Sequence, residues 1–472
     1  MSMRTIILCV AFGFFGCTKI NPNVCCTDAA DCSAAGIPNG QTCGDGLACR
    51  GHACIAETCR ASTDCASDAP YCSTSSGLCG MTCGGDSECP GAAQSTTDLF
   101  CVDQACVECR ADTPSDCPTS KPVCQAGACT GCTEHTQCAS GICADAGSCA
   151  PTSAISYVSA TGGLTDCSTL SPCSLTQALN QTQTRKYVVI DSGTYALTAT
   201  ANISYDTWLV GRGTKPIITN PAKGYIIKIL TGARVRLANL EISGATASTQ
   251  QQGTGVACES DGGAVNRTLD LDNMLFTSNA AAGVLDHTCT LTVRRSVFRG
   301  NGSGIEQADG SSTIDRSEFS FNTGTGFYTD SGTTQITNSF AFRNGSDGFH
   351  VYNYNNQNLI SFSTSVDNGG YGLVAEAVGM TEASNNIFAR NTMGSVSCVG
   401  SAQCSYAGTI SPIGTDITAL RFVSPNAAPY DYHLMSGSSA IDAAATSTMD
   451  HDFDGDARPK GAGRDVGADE AQ

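Results

Sequence analysis

The sequence predicts an all-β solenoid, a parallel β-helix, over its larger part, and three observations carry that prediction. First, the stretch from Leu269 to Asn391 repeats at a period of about 22 residues, with Asn279, Asn301, Asn322, Asn344, Asn368 and Asn391 in one phase. Second, each Asn is followed by a Gly (Gly283, Gly304, Gly326, Gly348, Gly372, Gly394). The eighth residue before it is aliphatic in Leu271, Val293, Ile314, Ile336 and Ile360, and Ala in Ala383. Third, the position three before the Asn holds Phe276, Phe298, Phe319 and Phe388, with Ala341 and Ser365 as exceptions. A fixed period of this length marks units that bury their apolar faces only against their neighbours. The units are read as strands, because each holds short alternating runs such as Leu291–Phe298 and Gly326–Asp330 joined by Asn, Gly, Ser and Asp. Helical repeats would need longer units, and the leucine-rich pattern is not met.

In a parallel β-helix each coil stacks roughly 4.8 Å above the last. The recurrent Asn is expected at a tight turn, where it tolerates left-handed φ, with its amide bonding to the amides above and below. The recurrent Gly is expected to permit the bend into the next strand. With this pattern the chain from about Ser156 onward resembles the right-handed parallel β-helix superfamily of pectate-lyase-like proteins. That resemblance implies the fold. It leaves function open, because the superfamily includes lyases, hydrolases, adhesins and proteins without known activity.

At the N-terminus Arg4 precedes an apolar run from Ile6 to Phe15, too short to span a bilayer and suited to the core of a signal peptide. The run ends in Phe14-Phe15-Gly16-Cys17, which resembles the lipobox of bacterial lipoproteins. Residues 1–16 are therefore expected to be removed and Cys17 to be acylated. Cysteine parity agrees: with Cys9 removed and Cys17 lipidated, an even number of the 30 Cys remains for pairing. The expected localisation is the bacterial outer membrane or cell surface, otherwise secretion, with the lipid as the only membrane contact.

Within residues 17–150, 22 Cys lie between Cys25 and Cys149 inclusive, a density typical of a disulfide scaffold in an oxidising compartment. A six-Cys unit from Cys25 to Cys54 is followed by four-Cys units that begin at Cys59, Cys83, Cys109 and Cys132. Apolar residues are too few for a core, so cross-links must replace it; their connectivity is not legible. The region resembles cysteine-rich spacer repeats of bacterial surface proteins, which implies a stalk.

Composition shifts at Pro151, so residues 151–472 are assigned to the β-helix with its C-terminal closing tail. The later Cys fall into three near pairs, Cys167/Cys173, Cys258/Cys289 and Cys398/Cys404, which read as local staples. The segment Ser174–Leu179 between two strand-like runs resembles the short amphipathic helix that covers the first coil of secreted β-helix proteins. Trp208 is read as core. At the far end, Asp450, Asp452, Asp454 and Gly455 match the first positions of a calcium loop, but Arg458 and Gly461 occupy the ninth and twelfth. Calcium is thus a candidate and no cofactor is required. The alternative is that Arg458 pairs with Asp465 or Glu470 and pins the last coil.

A net charge of −18 argues against nucleic acid or anionic lipid as partner and against strongly polyanionic substrates. The strand after each recurrent Gly supplies the candidate site. Its first residue (Val284, Ile305, Phe327, Phe349, Leu373) must point inward, so Glu306, Tyr328 and His350 face out, with His287, Asp330, Tyr352 and Glu376 further along. Glu306 and Asp330 are expected as diagonal neighbours roughly 7 Å apart, within the range for inverting glycoside hydrolysis. Asp347, in Asn344-Gly-Ser-Asp-Gly-Phe-His350, resembles the Asn-Thr-Asp-Gly step of polygalacturonases, whose remaining motifs are missing here. Glu306, Asp330 and His350 are the candidate catalytic residues; Tyr328, Tyr352, Glu376, His287 and Asp347 are the candidate sugar contacts. The expected function is a monomeric surface module that binds a polysaccharide or cell-surface glycan, with a polysaccharide-degrading hydrolase or lyase as the alternative. A face that is merely solvated is the bland reading of the same residues. Only two or three residues, such as Thr323-Gly-Thr325, separate each Asn from its Gly, which argues against a deep cleft.

Overall fold

In the computed structural model, three parallel sheets run side by side between Ile155 and Ser405, and each coil of the chain gives one strand to each. One coil reads Cys289–Arg294 in the first sheet, Val297–Arg299 in the second and Ser303–Gln307 in the third, before the chain returns to the first at Ser311–Asp315. The structure describes residues 100–471, apart from 112, 164–165, 221–223, 231, 247–251, 259–266, 354–356, 378, 401–402 and 411–415, and before residue 100 only short segments between 47 and 89. Among the described residues the sheets hold 11, 9 and 9 strands. The expected signal segment and Cys17 lie outside the described residues.

The register explains the sequence period. In the first sheet Leu271, Val293, Ile314, Ile336, Ile360 and Ala383 are successive partners. In the second, Phe276, Phe298, Phe319, Ala341, Ser365 and Phe388 are partners. In the third they are Val284, Ile305, Phe327, Phe349 and Leu373. All seventeen of these inward side chains are essentially without solvent exposure, and burial of apolar surface stabilises by roughly 25 cal/mol per Å². Phe276, Phe298 and Phe319 stack with centroids 4.8 and 5.1 Å apart. Where Ala341 interrupts the stack, Phe319 turns to edge contacts with Phe327 at 6.4 Å and Phe349 at 6.3 Å. Where Ser365 does so, its hydroxyl donates to Gly372 O at 2.9 Å.

The recurrent Asn residues form a buried ladder. Asn279 Nδ2 donates to Asn301 Oδ1 at 2.9 Å, and the same bond repeats from Asn301 to Asn322 (3.2 Å), to Asn344 (2.8 Å), to Asn368 (2.9 Å) and to Asn391 (2.9 Å). Each Nδ2 also donates to a backbone carbonyl of the second sheet, as Asn322 does to Phe298 O at 3.0 Å. The expected left-handed φ falls elsewhere. It belongs to the preceding residue, Ser278, Gly300, Phe321, Arg343, Asp367 or Arg390, with φ between 51° and 66°. The turn needs one left-handed residue, and placing it before the Asn aims the amide inward along the axis.

The helix Leu175–Leu179 has Ser174 as its cap, with Oγ accepting from Gln177 N at 3.2 Å, and it buries Leu175 and Ala178. Trp208 is buried, but in a satellite cluster with Tyr157, Val189 and Val210 on the outer side of the first sheet, not inside the coil. Strand alternation is the reason, since its neighbour Leu209 points into the coil core. Residues 417–471 close the domain laterally. Leu420, Phe422, Tyr432, Leu434 and Val466 cover Phe340, Phe342, Val366 and Ile387 on the outer face of the second sheet. Arg316 donates to Phe453 O at 2.9 Å and Asp454 O at 2.6 Å, and Ala468 N donates to Thr364 Oγ1 at 3.0 Å. Arg458 is buried against Glu470 at 3.1 Å and also donates to the carbonyls of His451, Asp465 and Gly467, so it braces the tail itself.

The chain separates into two compact units, residues 1–139 with 143–149 and residues 140–142 with 150–472. In the first, three four-Cys units each pair first to third and second to fourth: Cys83–Cys101 and Cys89–Cys106, Cys109–Cys124 and Cys117–Cys129, Cys132–Cys143 and Cys138–Cys149. The third and fourth Cys of the first two of these units face each other across a hairpin, so each is left to reach back to an earlier Cys. In the second unit the staples are Cys167–Cys173, Cys258–Cys289 and Cys398–Cys404.

Candidate functional site

The outer face of the third sheet gathers most of the expected site residues. Glu306, Tyr328 and His350 are direct register partners on consecutive coils, followed by Val374. Tyr352 and Glu376 are partners two residues further on. Asp330 lies two residues past Tyr328, so the diagonal relation to Glu306 is kept by the backbone. Tyr328 is the register partner of Glu306 and stands two residues before Asp330 on the same coil. Its phenol is held above its usual pKa by burial first and then by the charges of Asp330, Glu376 and Glu306. His287 is not part of this group: it follows the strand Ala282–Asp286, two coils before Asp330, with Ala308 at the level between.

His350 is held by its neighbours. Its Nδ1 lies 3.0 Å from Asp347 Oδ2, while Asp347 Oδ1 accepts from Tyr371 N at 2.7 Å. Asp347 is thereby fixed at both oxygens and buried. A carboxylate held this way places the imidazole proton on Nδ1 and leaves Nε2 as the basic nitrogen. Nε2 is 3.9 Å from Glu376 Oε1, and the Tyr328 ring meets the imidazole edge-on at 5.1 Å. Asp347, His350 and Glu376 border an open depression of about 370 Å³ together with Tyr371, Met393 and Ser397, and Tyr328 lies outside its lining. The short turns at Gly345–Asp347 and Gly369–Gly370 form its rim. A side chain at Gly370 would collide with Asp347 Oδ1 at 2.1 Å, so glycine is required for the Asp347 carboxylate to lie there. The depression is shallow, as three-residue turns dictate.

Asp450, Asp452 and Asp454 take three different sets of partners. Asp450 pairs with His451 at 2.7 Å, and Asp452 accepts from the backbone of Gly455, Asp456 and Glu470. Asp454 instead approaches His433, at 3.1 Å.

Sequence reasoning missed Tyr371 and Met393, which precede the recurrent Gly, and Ser397, which follows Val374 in the stack of Glu306, Tyr328 and His350 but stands one residue further past its Gly than they do. It also missed a second ladder under the first turn, in which Ser296 N donates to Ser317 Oγ at 3.3 Å, Ser317 N to Ser339 Oγ at 3.2 Å and Ser339 N to Ser363 Oγ at 3.3 Å. The same 22-residue spacing was the available signal.

The coil geometry defines a right-handed parallel β-helix. Residues 282–410 match the family described as right handed beta helix region. Among solved structures the chain is similar to pectate lyase Pel9A, with 16% identity and a TM-score of 0.44 over 67% of this chain and 96% of that one. It is also similar to a rhamnogalacturonan lyase (12%, TM-score 0.39, 58% and 91%) and to the alginate lyase from Paenibacillus sp. str. FPU-7 (11%, TM-score 0.30, 54% and 99%). At such identities the likeness concerns the fold and not the chemistry of the site. A search of the curated proteins found no match.

Proposed function

We propose that the third sheet is a saccharide-binding face centred on the depression at His350, and that the protein is an exported, lipid-anchored module presenting it. The observation that supports this is the register stack of Glu306, Tyr328 and His350 beside Asp347 and Glu376. Aromatic rings offer apolar faces to sugar rings, and fixed carboxylates accept from hydroxyl groups. Because the depression is bordered by acids and by no Lys or Arg, the favoured glycan is neutral or an amino sugar. A panel of neutral, amino and acidic glycans, measured against the full chain and against Tyr328→Ala, Tyr352→Ala and Glu376→Gln, tests it. Retention unchanged in all three variants would remove this face as the site.

A second reading, glycan cleavage, is favoured by the Asp347–His350 pair, which orients a base toward the depression. In it His350, Glu306 and Asp330 serve as acid and base groups around the Tyr328 phenol. His350→Gln should then abolish product release while sparing retention; equal product from wild type and variant refutes cleavage at this site. Anchoring through Cys17 predicts partition to membranes that Cys17→Ser abolishes, and a variant that stays membrane-bound would sink it.

A further inference from the structure

We propose that the lateral tail holds a divalent metal ion of the zinc class between His433, Asp454 and Asp469. The three ligand atoms lie within 4.8 Å of one another. They come from three separate segments, the strand Asp431–Leu434, the 450–458 loop and the last residues of the chain, so the fold assembles them and a local run of acids does not. His433 is prepared as a ligand. Asp431 Oδ1 sits 2.6 Å from Nδ1, which puts the proton on that nitrogen and turns the Nε2 lone pair toward Asp454 and Asp469. The Nε2 atom is shielded from solvent and makes no hydrogen bond, and its ion-pair contact is with Asp454 Oδ2 at 3.1 Å. A ring nitrogen without a hydrogen bond that faces two carboxylates offers a cation one imidazole and two oxygen ligands.

The surroundings agree. Asp469 is only 7% exposed and is oriented by Leu434 N, which donates to its Oδ2 at 2.6 Å. The Phe340 and Phe453 rings meet His433 at 5.2 and 5.9 Å, forming an apolar wall that limits water on that side. Asp454 is more than half exposed and leaves an approach from solvent. One imidazole and two carboxylates suit zinc-class ions, whereas calcium takes six to eight oxygen ligands. Three protein ligands leave the fourth position to water. This set shares only Asp454 with the loop that the sequence suggested for calcium.

The test is metal content and zinc titration calorimetry on the full chain after chelator treatment, with calcium titrated in parallel. Wild type should take up one zinc that Asp454→Asn lacks. Asp431→Asn, which touches no metal, should weaken zinc binding by about 10–100-fold. Asp454 is exposed enough that Asn there should keep the metal-free melting temperature, and His433→Gln provides the second ligand variant. Zinc uptake that is absent from wild type, or is equal in wild type and Asp454→Asn, overturns the site, as does calcium bound in preference to zinc.

Discussion

Replacing Asn322 by Ala should damage the β-helix more than any surface change of similar size. In the native chain the Asn322 amide makes four bonds: it donates to Asn344 Oδ1 and Phe298 O and accepts from Asn301 N (3.0 Å) and Asn301 Nδ2 (3.2 Å). Asn301 Nδ2 keeps a second acceptor in Phe276 O, and Asn344 Oδ1 still receives Asn322 N. The group left stranded is therefore the Asn301 N–H, because the Phe298 carbonyl keeps its place in the ladder with the strand Glu318–Ser320. At about 1–3 kcal/mol for an unsatisfied buried group, the loss should be about 1–3 kcal/mol. Because a solenoid unfolds unevenly, the assay is amide hydrogen exchange by mass spectrometry together with thermal melting. Protection should fall first in the coils containing Asn301 and Asn322 and little near Leu209. Asn322→Asp sharpens the point, since an ionised carboxylate can still accept from Asn301 but would face Asn344 Oδ1 and Phe298 O without a proton. It should be destabilised more at pH 8 than at pH 4. An Ala variant within about 0.5 kcal/mol of wild type, or one whose lost protection is spread evenly along the chain, would refute the reasoning.

Asp286, buried beside Cys289, is pushed up to about 7 by burial, against the pull of hydrogen bonds from Cys289 N and Thr288 N. The folded chain then binds the extra proton between about pH 4 and 7, so stability should fall as pH rises through that window, and Asp286→Asn should flatten this part of a pH–melting curve. A wild-type curve that rises across the window by the amount Asp286→Asn removes would contradict this. Arg458→Met should leave Glu470 buried without its cation and cost about 3–5 kcal/mol, read as proteolysis after residue 416 that outpaces cleavage of the coils; a tail as resistant as in wild type would argue against that brace.

Much of the fold was legible because a solenoid writes its core at a fixed interval. Leu271, Val293 and Ile314 recur in sequence because they are register partners in space. The left-handed turn was misplaced by one residue because Ser278, Phe321 and Arg390 have no shared chemistry; only the amide that follows them is constrained. For the site, period-2 alternation placed Glu306, Tyr328 and His350 on one face. It could not show that Asp347, on a turn, reaches His350, since that depends on Tyr371 N and on the space at Gly370. The grouping of His433 with Asp454 and Asp469 was illegible for a related reason: it depends on the path of an irregular tail that no period describes.

That tail also measures length. Its contacts reach Asp315 and Arg316 on one coil, Phe340 on the next, then Thr364, then Asn385 and Ile387. Four successive rungs are thus gauged against one stretch of chain. A whole coil gained or lost before Asp315 would pass through the Asn ladder unnoticed, because every rung offers the same donor and acceptor. The same change between Arg316 and Thr364 would put the tail out of step by one rung, about 4.8 Å. Growth of this solenoid by duplication is therefore open at one end and gauged at the other.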